Sequence, residues 1–286
     1  MSVVYDFKLL RPSANYPVYP PYHTGNYLEE YFYNFYLKNK NTFDQTGYTL
    51  IPVFWTNCYI TNNNRHLLQP FLNALPPGKY FTVSQHDDAI EEQLPPGTIK
   101  FEAGGNKNGI PIPLICSSIP KQHCTETNKD IFCSFVGSNS APLRNTIYNL
   151  FKDDKEIFFS VQQWQQQVST NRFEEFINIT KRSHFTLCPR GYGAQSFRLY
   201  EALQLNSIPV FIYDKEWFPF SDKINWKDFC VLVHVNELTN LKSILKGINI
   251  DTQQQMIECG KQMYNKFFTL EAVCKNILAH LVAQTN

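Results

Sequence analysis

The chain has 286 residues, enough for one large domain or two of ordinary size. Hydrophobic residues make up 43% and charged residues 18%, a globular balance that excludes disorder. Basic residues number 26 and acidic 25, so the net charge of +1 excludes a broad nucleic-acid-binding face and confines any anion site to a local pocket.

Residues 1–25 are rich in Pro and Tyr and predict an extended surface arm. Asp6 and Lys8 interrupt this stretch early, so it does not read as a signal peptide. No run approaches the roughly 18 apolar residues of a membrane span, so no membrane insertion and a cytoplasmic location are expected. Helical spacing over Asn26–Asn39 is followed by an apolar strand at Tyr48–Trp55 and a proline-bearing helix at His66–Leu75. A strand at Lys79–Asp88 would deliver His86, Asp87 and Asp88 to a loop, and Ile110–Cys116 reads as a short strand.

A second series begins near Asp130. Strands are expected at Ile131–Ser138, Glu156–Val161, Phe185–Leu187, Ile208–Tyr213 and Phe229–Val235. Helices are expected at Ala141–Phe151, Asn171–Thr180, after Ser196, and at Thr239–Ile248, with a long or broken helix to the end. The alternation predicts an α/β protein with two Rossmann-like domains facing a cleft: 1–130, 131–250, and a C-terminal helical segment at 251–286.

Eight cysteines are scattered with no C-x-x-C pair, so they read as reduced and mostly buried. The histidines show no metal spacing, and the sequence contains no Asp-x-Asp. Adjacent acids, as in Asp87-Asp88 and Asp153-Asp154, point successive side chains apart and chelate poorly. No metal cofactor is expected.

The most informative stretch is Cys188-Pro189-Arg190-Gly191-Tyr192-Gly193-Ala194-Gln195-Ser196, between a strand and a helix. It nearly matches G-x-G-x-x-G, and Asp214 ends the next strand, where a dinucleotide fold places its ribose-binding acid. A nicotinamide or flavin oxidoreductase is therefore one reading. Against it, the loop lies two-thirds along the chain, and Arg190 adds a cation where the fingerprint has none. Arginine plus the backbone N–H groups of Gly193 to Phe197 at a helix start suits a pyrophosphate, with the Ser196 hydroxyl capping or donating. Arg198 and Glu201 share a helix face, either as a surface ion pair or with Glu201 reaching ribose hydroxyls.

The segment Phe185–Val233 resembles the exostosin-type glycosyltransferase signature: C-P-R-G, then S-F-R-x-x-E-A-L, I-P-V, P-F and I-x-W. Phe132–Asn149, with Gly137 and Arg144, resembles another stretch of that family, and Gly78–Asp88 an earlier one; the resemblance spans residues from about 50 to 250. It implies a GT-B fold and inverting transfer from a UDP-sugar to a hydroxyl of a glycan acceptor, with a slight preference for UDP-xylose or another neutral sugar. It implies that Arg190 and the loop through Gly191, Tyr192, Gly193, Ser196 and Phe197 hold the diphosphate. Glu201 would bind ribose, Arg198 would pair with the loop, and Arg144 would be a second phosphate contact or a structural ion pair. With no anchor expected, the chain resembles the compact soluble members of large DNA viruses, whose sugars decorate capsid proteins, and a viral capsid glycan is one acceptor this implies. Inversion needs a general base facing the donor. Asp87 is the first candidate and Asp88 the second, beside His86, unless these acids only cap a helix. An inactive glycan-binding relative is the third reading.

Overall fold

The computed structural model describes residues 28–61, 65–88, 90–105, 109–165 and 168–285; the arm expected at 1–25 lies outside them. The first unit contains α1 (Leu28–Lys38), α2 (Lys40–Gln45), β1 (Tyr48–Leu50), α3 (Trp55–Thr61), α4 (Leu68–Asn73), β2 (Lys79–Ser84), β3 (Ile99–Glu102) and β4 (Ile110–Pro111). Its four strands are parallel, in the order β1-β2-β3-β4.

The strands are shorter than their apolar runs for identifiable reasons. Beyond β1, Pro52 has no N–H, Val53 N–H turns back to the Ile51 carbonyl at 3.0 Å, and Trp55 already opens α3. The Ile110–Cys116 run keeps only two residues in the strand. Ile112 N–H still reaches the Glu102 carbonyl at 3.1 Å, but Pro111 and Pro113 donate nothing, and Leu114 N–H leaves the sheet for the Gln195 side chain. β2 stops at Ser84 because Gln85 N–H is captured by the Glu29 carboxylate at 2.7 Å. Strand β3 has no counterpart in the sequence expectations. Two of its four residues are charged, and Lys100 and Glu102 pair with each other at 3.7 Å.

The second unit contains β5 (Ile131–Ser138), α5 (Pro142–Phe151), β6 (Ile157–Gln162), α6 (Thr170–Arg182), β7 (Ser183–Pro189), α7 (Phe197–Gln204), β8 (Ile208–Tyr213), β9 (Val231–His234) and α8 (Leu241–Lys246). The sheet is parallel with order β6-β5-β7-β8-β9. The chain moves outward from β5 to β6, then returns to the other side of β5 for β7. That reversal opens a crevice beyond Ser138 and Pro189, the usual ligand position in an open parallel sheet.

The tail breaks into α9 (Ile250–Met263), a π-helical turn (Tyr264–Phe268) and α10 (Leu270–Ala283), restarted by Thr269, whose hydroxyl accepts from Ala272 N–H at 3.1 Å. α10 packs back on α1, and His280 meets the Phe101 ring edge-on at 5.5 Å. One apolar cluster therefore runs through both units, joining Phe32, Phe81 and Phe101 to Phe211, Phe229 and Phe268. Two parallel α/β units on one cleft, with the last helix returning to the first unit, form a GT-B arrangement. No helix among the described residues is long and apolar enough to cross a membrane.

Glu29 ties this frame together beneath the cleft. Its carboxylate accepts from the backbone N–H groups of Thr56 and Gln85 and from the Thr56 hydroxyl. Complete burial outweighs these donors and pushes its pKa from 4.5 up to about 8. Between those values the folded chain keeps a proton that the unfolded chain has released, so stability falls as pH rises through that window and is flat above it. In urea titrations the wild type should lose up to about 1.4 kcal/mol per pH unit in this window relative to Glu29→Gln. Parallel pH profiles for the two proteins would contradict this.

Candidate active site

A cavity of about 860 Å³ fills the cleft. The first unit contributes Thr56 and Ile60 from α3, and Gln85, His86 and Asp87 beyond β2. The second contributes Gly137 to Ser140, Arg144, Gln162 to Gln165, Arg172, Gly191, Tyr192 and the start of α7 with Arg198 and Glu201.

The glycine loop is shaped by local bonds. Gly191 N–H closes on the Gln195 carbonyl at 3.1 Å, and Ser196 caps α7, its hydroxyl accepting from Arg198 N–H at 3.4 Å. Two N–H groups expected to meet a ligand are already taken by the first unit. Gly193 N–H bonds the Asp87 carboxylate, and Ala194 N–H bonds the Gly104 carbonyl at 3.3 Å. A Cβ at Gly193 would stand 2.6 Å from Asp87 Oδ1 and 3.0 Å from its Cα, so glycine permits the approach. Gln195 crosses between the units. Its amide donates to the carbonyls of Ala103 at 2.6 Å and Ile112 at 2.8 Å, and its oxygen accepts from Leu114 N–H and the Tyr200 hydroxyl.

The three arginines take different places. Arg190 does not line the cavity: its Nε pairs with Asp214 at 2.8 Å, and Nη1 donates to the Gly191 and Tyr192 carbonyls. The cation expected at the diphosphate and the acid expected at a dinucleotide ribose thus hold each other, because adjacent parallel strands β7 and β8 bring them together. Arg144 is buried and donates to the carbonyls of Ser138 at 3.0 Å and Arg190 at 3.2 Å and to the Ser196 hydroxyl at 3.4 Å, strapping the ends of β5 and β7. Arg198 is only 8% exposed. It is not the cation of a surface ion pair: its guanidinium lies 4.5 Å from the Phe176 ring centroid, and its Nε has no hydrogen-bond partner among the described residues. Gly137 makes room for it, since a Cβ there would come within 2.6 Å of Nη1. Glu201, one turn further along α7, is buried and also lines the cavity.

On the opposite wall, burial raises the Asp87 carboxyl above the usual range, against the lowering influence of His86, the Gly193 N–H and Arg144. His86 is held neutral by burial, and its Nδ1 accepts from Asp88 N–H at 3.2 Å. In the neutral ring the proton then sits on Nε2, which makes that nitrogen a donor and not a base. Asp88 is not among the cavity-lining residues. Gly191, Tyr192, Ser196 and Phe197 line the cavity with Asp87, Arg144, Arg198 and Glu201.

Sequence reasoning missed Gln195 as a latch, Arg172, and the run Gln162-Gln163-Trp164-Gln165. The last carried a visible signal: a tryptophan among glutamines at the end of a strand in the second sheet. Among the described residues there is no cluster of three or more His, Cys, Asp or Glu able to hold a metal. Asp154 is engaged by Lys242 at 2.6 Å.

A family model described as the Exostosin GT47 domain matches residues 81–248. Probable glycosyltransferase At5g03795 of Arabidopsis thaliana is 29% identical over 130 residues, 43% of this chain and 23% of that protein. Probable glucuronosyltransferase Os02g0520750 of Oryza sativa subsp. japonica is 39% identical over 84 residues, 29% of this chain and 19% of that protein. The matched part spans less than a quarter of either relative. Among solved structures, TarM aligns with 77% of this chain and 58% of its own at a TM-score of 0.41 and 9% identity.

The contact between Gly193 and Asp87 has no space for a methyl group. Gly193→Ala should destabilise the fold by about 1–3 kcal/mol, the usual cost of overpacking, read from denaturant midpoints. An unchanged midpoint would show that the loop and the Asp87 turn are not in contact.

Proposed function

Since this chain belongs to the exostosin GT47 domain family, we propose that it transfers a sugar from a UDP-sugar to a hydroxyl of a glycan acceptor, with inversion at the anomeric carbon. The observation that carries this reading is Arg198, a buried guanidinium in the first turn of α7 at the β5/β7 switch point, with an unpartnered Nε and with Glu201 one turn further along the helix. A buried cation without such a partner is costly, and an incoming diphosphate supplies what it lacks. Arg198, the fixed charge of Arg144 and the α7 N-terminus offset the phosphate charge without a metal ion. Glu201 accepts from ribose hydroxyls. Phe173, Phe176 and Val136 provide an apolar wall beside Arg198 for the base.

Asp87 acts as general base in this scheme. Its carboxylate takes the acceptor hydroxyl proton as that oxygen attacks the anomeric carbon. The bond from that carbon to the phosphate oxygen breaks, and its electron pair leaves with UDP, stabilised by the two arginines. A carboxyl raised by burial is a stronger base than an exposed one. Arg190, occupied by Asp214, holds the loop in shape. A neutral donor such as UDP-xylose fits best. A sugar carboxylate would need a further cation, and Arg172 and Arg190 are engaged by Glu175 and Asp214.

UDP with excess EDTA should raise the melting temperature, and NAD+ should not. A ligand at 100 times its dissociation constant adds about 2.7 kcal/mol. Arg198→Ala should weaken UDP binding by about 1.5–3 kcal/mol in calorimetry, and Arg190→Ala by less. Stabilisation by NAD+ alone would remove the transferase reading.

Asp87→Asn should bind UDP normally and lose about 10²- to 10⁴-fold in turnover. Wild-type turnover should fall as acid protonates Asp87, on a limb displaced upward from the ordinary carboxylate range. Full transfer by Asp87→Asn would place the base elsewhere.

A further inference from the structure

We propose that Trp164 and its flanking glutamines form a subsite for a neutral sugar ring of the acceptor glycan. The inference rests on the transferase reading and adds a ligand position to it.

Trp164 is 60% exposed, whereas Trp55 and Trp226 are buried and Trp217 is partly buried with its Nε1 donating to the Glu102 carbonyl. Leaving an indole face in water forfeits one of the largest burial gains a side chain can make. The face is not on an arbitrary surface. It lies at the mouth of the cleft, just past the end of β6, where Asn139 N–H pins the Gln162 carbonyl at 3.1 Å. Ile60 of the first unit, 50% exposed, and Tyr192 of the glycine loop, 68% exposed, line the same cavity.

The chemistry of this rim differs from that of the inner wall. Inside, Arg198 and Glu201 stand beside buried Phe173 and Phe176, suited to a charged nucleotide with a flat base. At the rim, Gln162, Gln163 and Gln165 offer amides that donate and accept without charge. A pyranose has matching parts: an apolar C–H face for an indole or an exposed aliphatic side chain, and equatorial hydroxyls that both donate and accept. A loosely exposed Trp suits a ring that must enter and leave with each turnover better than a base that is gripped. The volume agrees, since about 860 Å³ lies near the upper end of the roughly 300–1,000 Å³ of small-molecule sites, leaving space beyond a donor.

The test uses acrylamide quenching of tryptophan fluorescence in the full chain, with Trp164→Phe supplying the difference due to Trp164. The probes are UDP alone, neutral xylo-, galacto-, manno- and chito-tetraoses, and an acidic heparin-derived tetrasaccharide. At least one neutral tetraose should shield Trp164, and saturating UDP should leave it accessible. Trp164→Ala should bind UDP within about twofold of wild type and lose at least about tenfold in affinity for that tetraose. Shielding by UDP itself would make Trp164 a base platform and overturn the proposal. So would shielding by the acidic tetrasaccharide alone, or by no sugar while UDP binds normally. Shielding by a neutral tetraose in a chain that does not bind UDP would uphold the subsite and end the transferase reading.

Discussion

The cleft depends on one buried amide. Gln195 has two N–H donors and an oxygen with two acceptor sites, and each meets a partner. Ala103 and Ile112 carbonyls take the donors; Leu114 N–H and the Tyr200 hydroxyl reach the oxygen. Three of those partners belong to the first unit, and Gln195 sits in the glycine loop of the second. An amide satisfied in this way resists displacement, because losing any one partner leaves a buried polar group unmade. It holds the loop against the ends of β3 and β4, which sets where α7 begins and which way Arg198 and Glu201 face. The shared apolar cluster behind it gives the bulk of the attraction between units, but that attraction is non-directional. The amide supplies the register.

Charge is distributed around that register. Arg144 is strapped by carbonyls at the ends of β5 and β7, so its position is part of the sheet. Arg198 lies on an aromatic face with part of its hydrogen-bonding capacity unspent. Arg190 is neutralised by Asp214 outside the cavity. One wall of the cleft is therefore electropositive and rigid. The other carries Asp87, whose charge is disfavoured by burial and favoured by the Gly193 N–H and by Arg144 across from it. Under the proposed transfer, an acceptor hydroxyl placed between them would have Asp87 on one side and the two arginines on the other, the separation of roles that displacement at a sugar carbon demands.

Much was legible in the sequence because it is local. Strand β5, helix α5, the chain from β7 through α7 to β8, and the broken C-terminal helix follow from apolar period, proline position and N-cap chemistry within short windows. The glycine loop stood out by composition and Glu201 by its spacing along α7; Gly191, Tyr192, Ser196 and Glu201 line the cavity, whereas Arg190 does not. Strand β3 stayed hidden because half its residues are charged, and the Ile110–Cys116 run misled because apolar content says nothing about which N–H groups a neighbour will capture.

By itself the sequence determined an α/β chain with a switch-point loop, a set of residue types suited to a diphosphate and a base, and the family signature. Only the tertiary structure decided which arginine faces the cavity. Arg190 and Arg198 are equivalent as composition, but β8 brings Asp214 to one, while α7 turns the other over Phe176. It also decided that Asp87 and not Asp88 joins the cavity, that Gln195 latches two units, and that Trp164 stands at the mouth. Each of these is a pairing between residues distant in the chain. Such pairings are set by the packing of one sheet against another, which no short window of sequence contains.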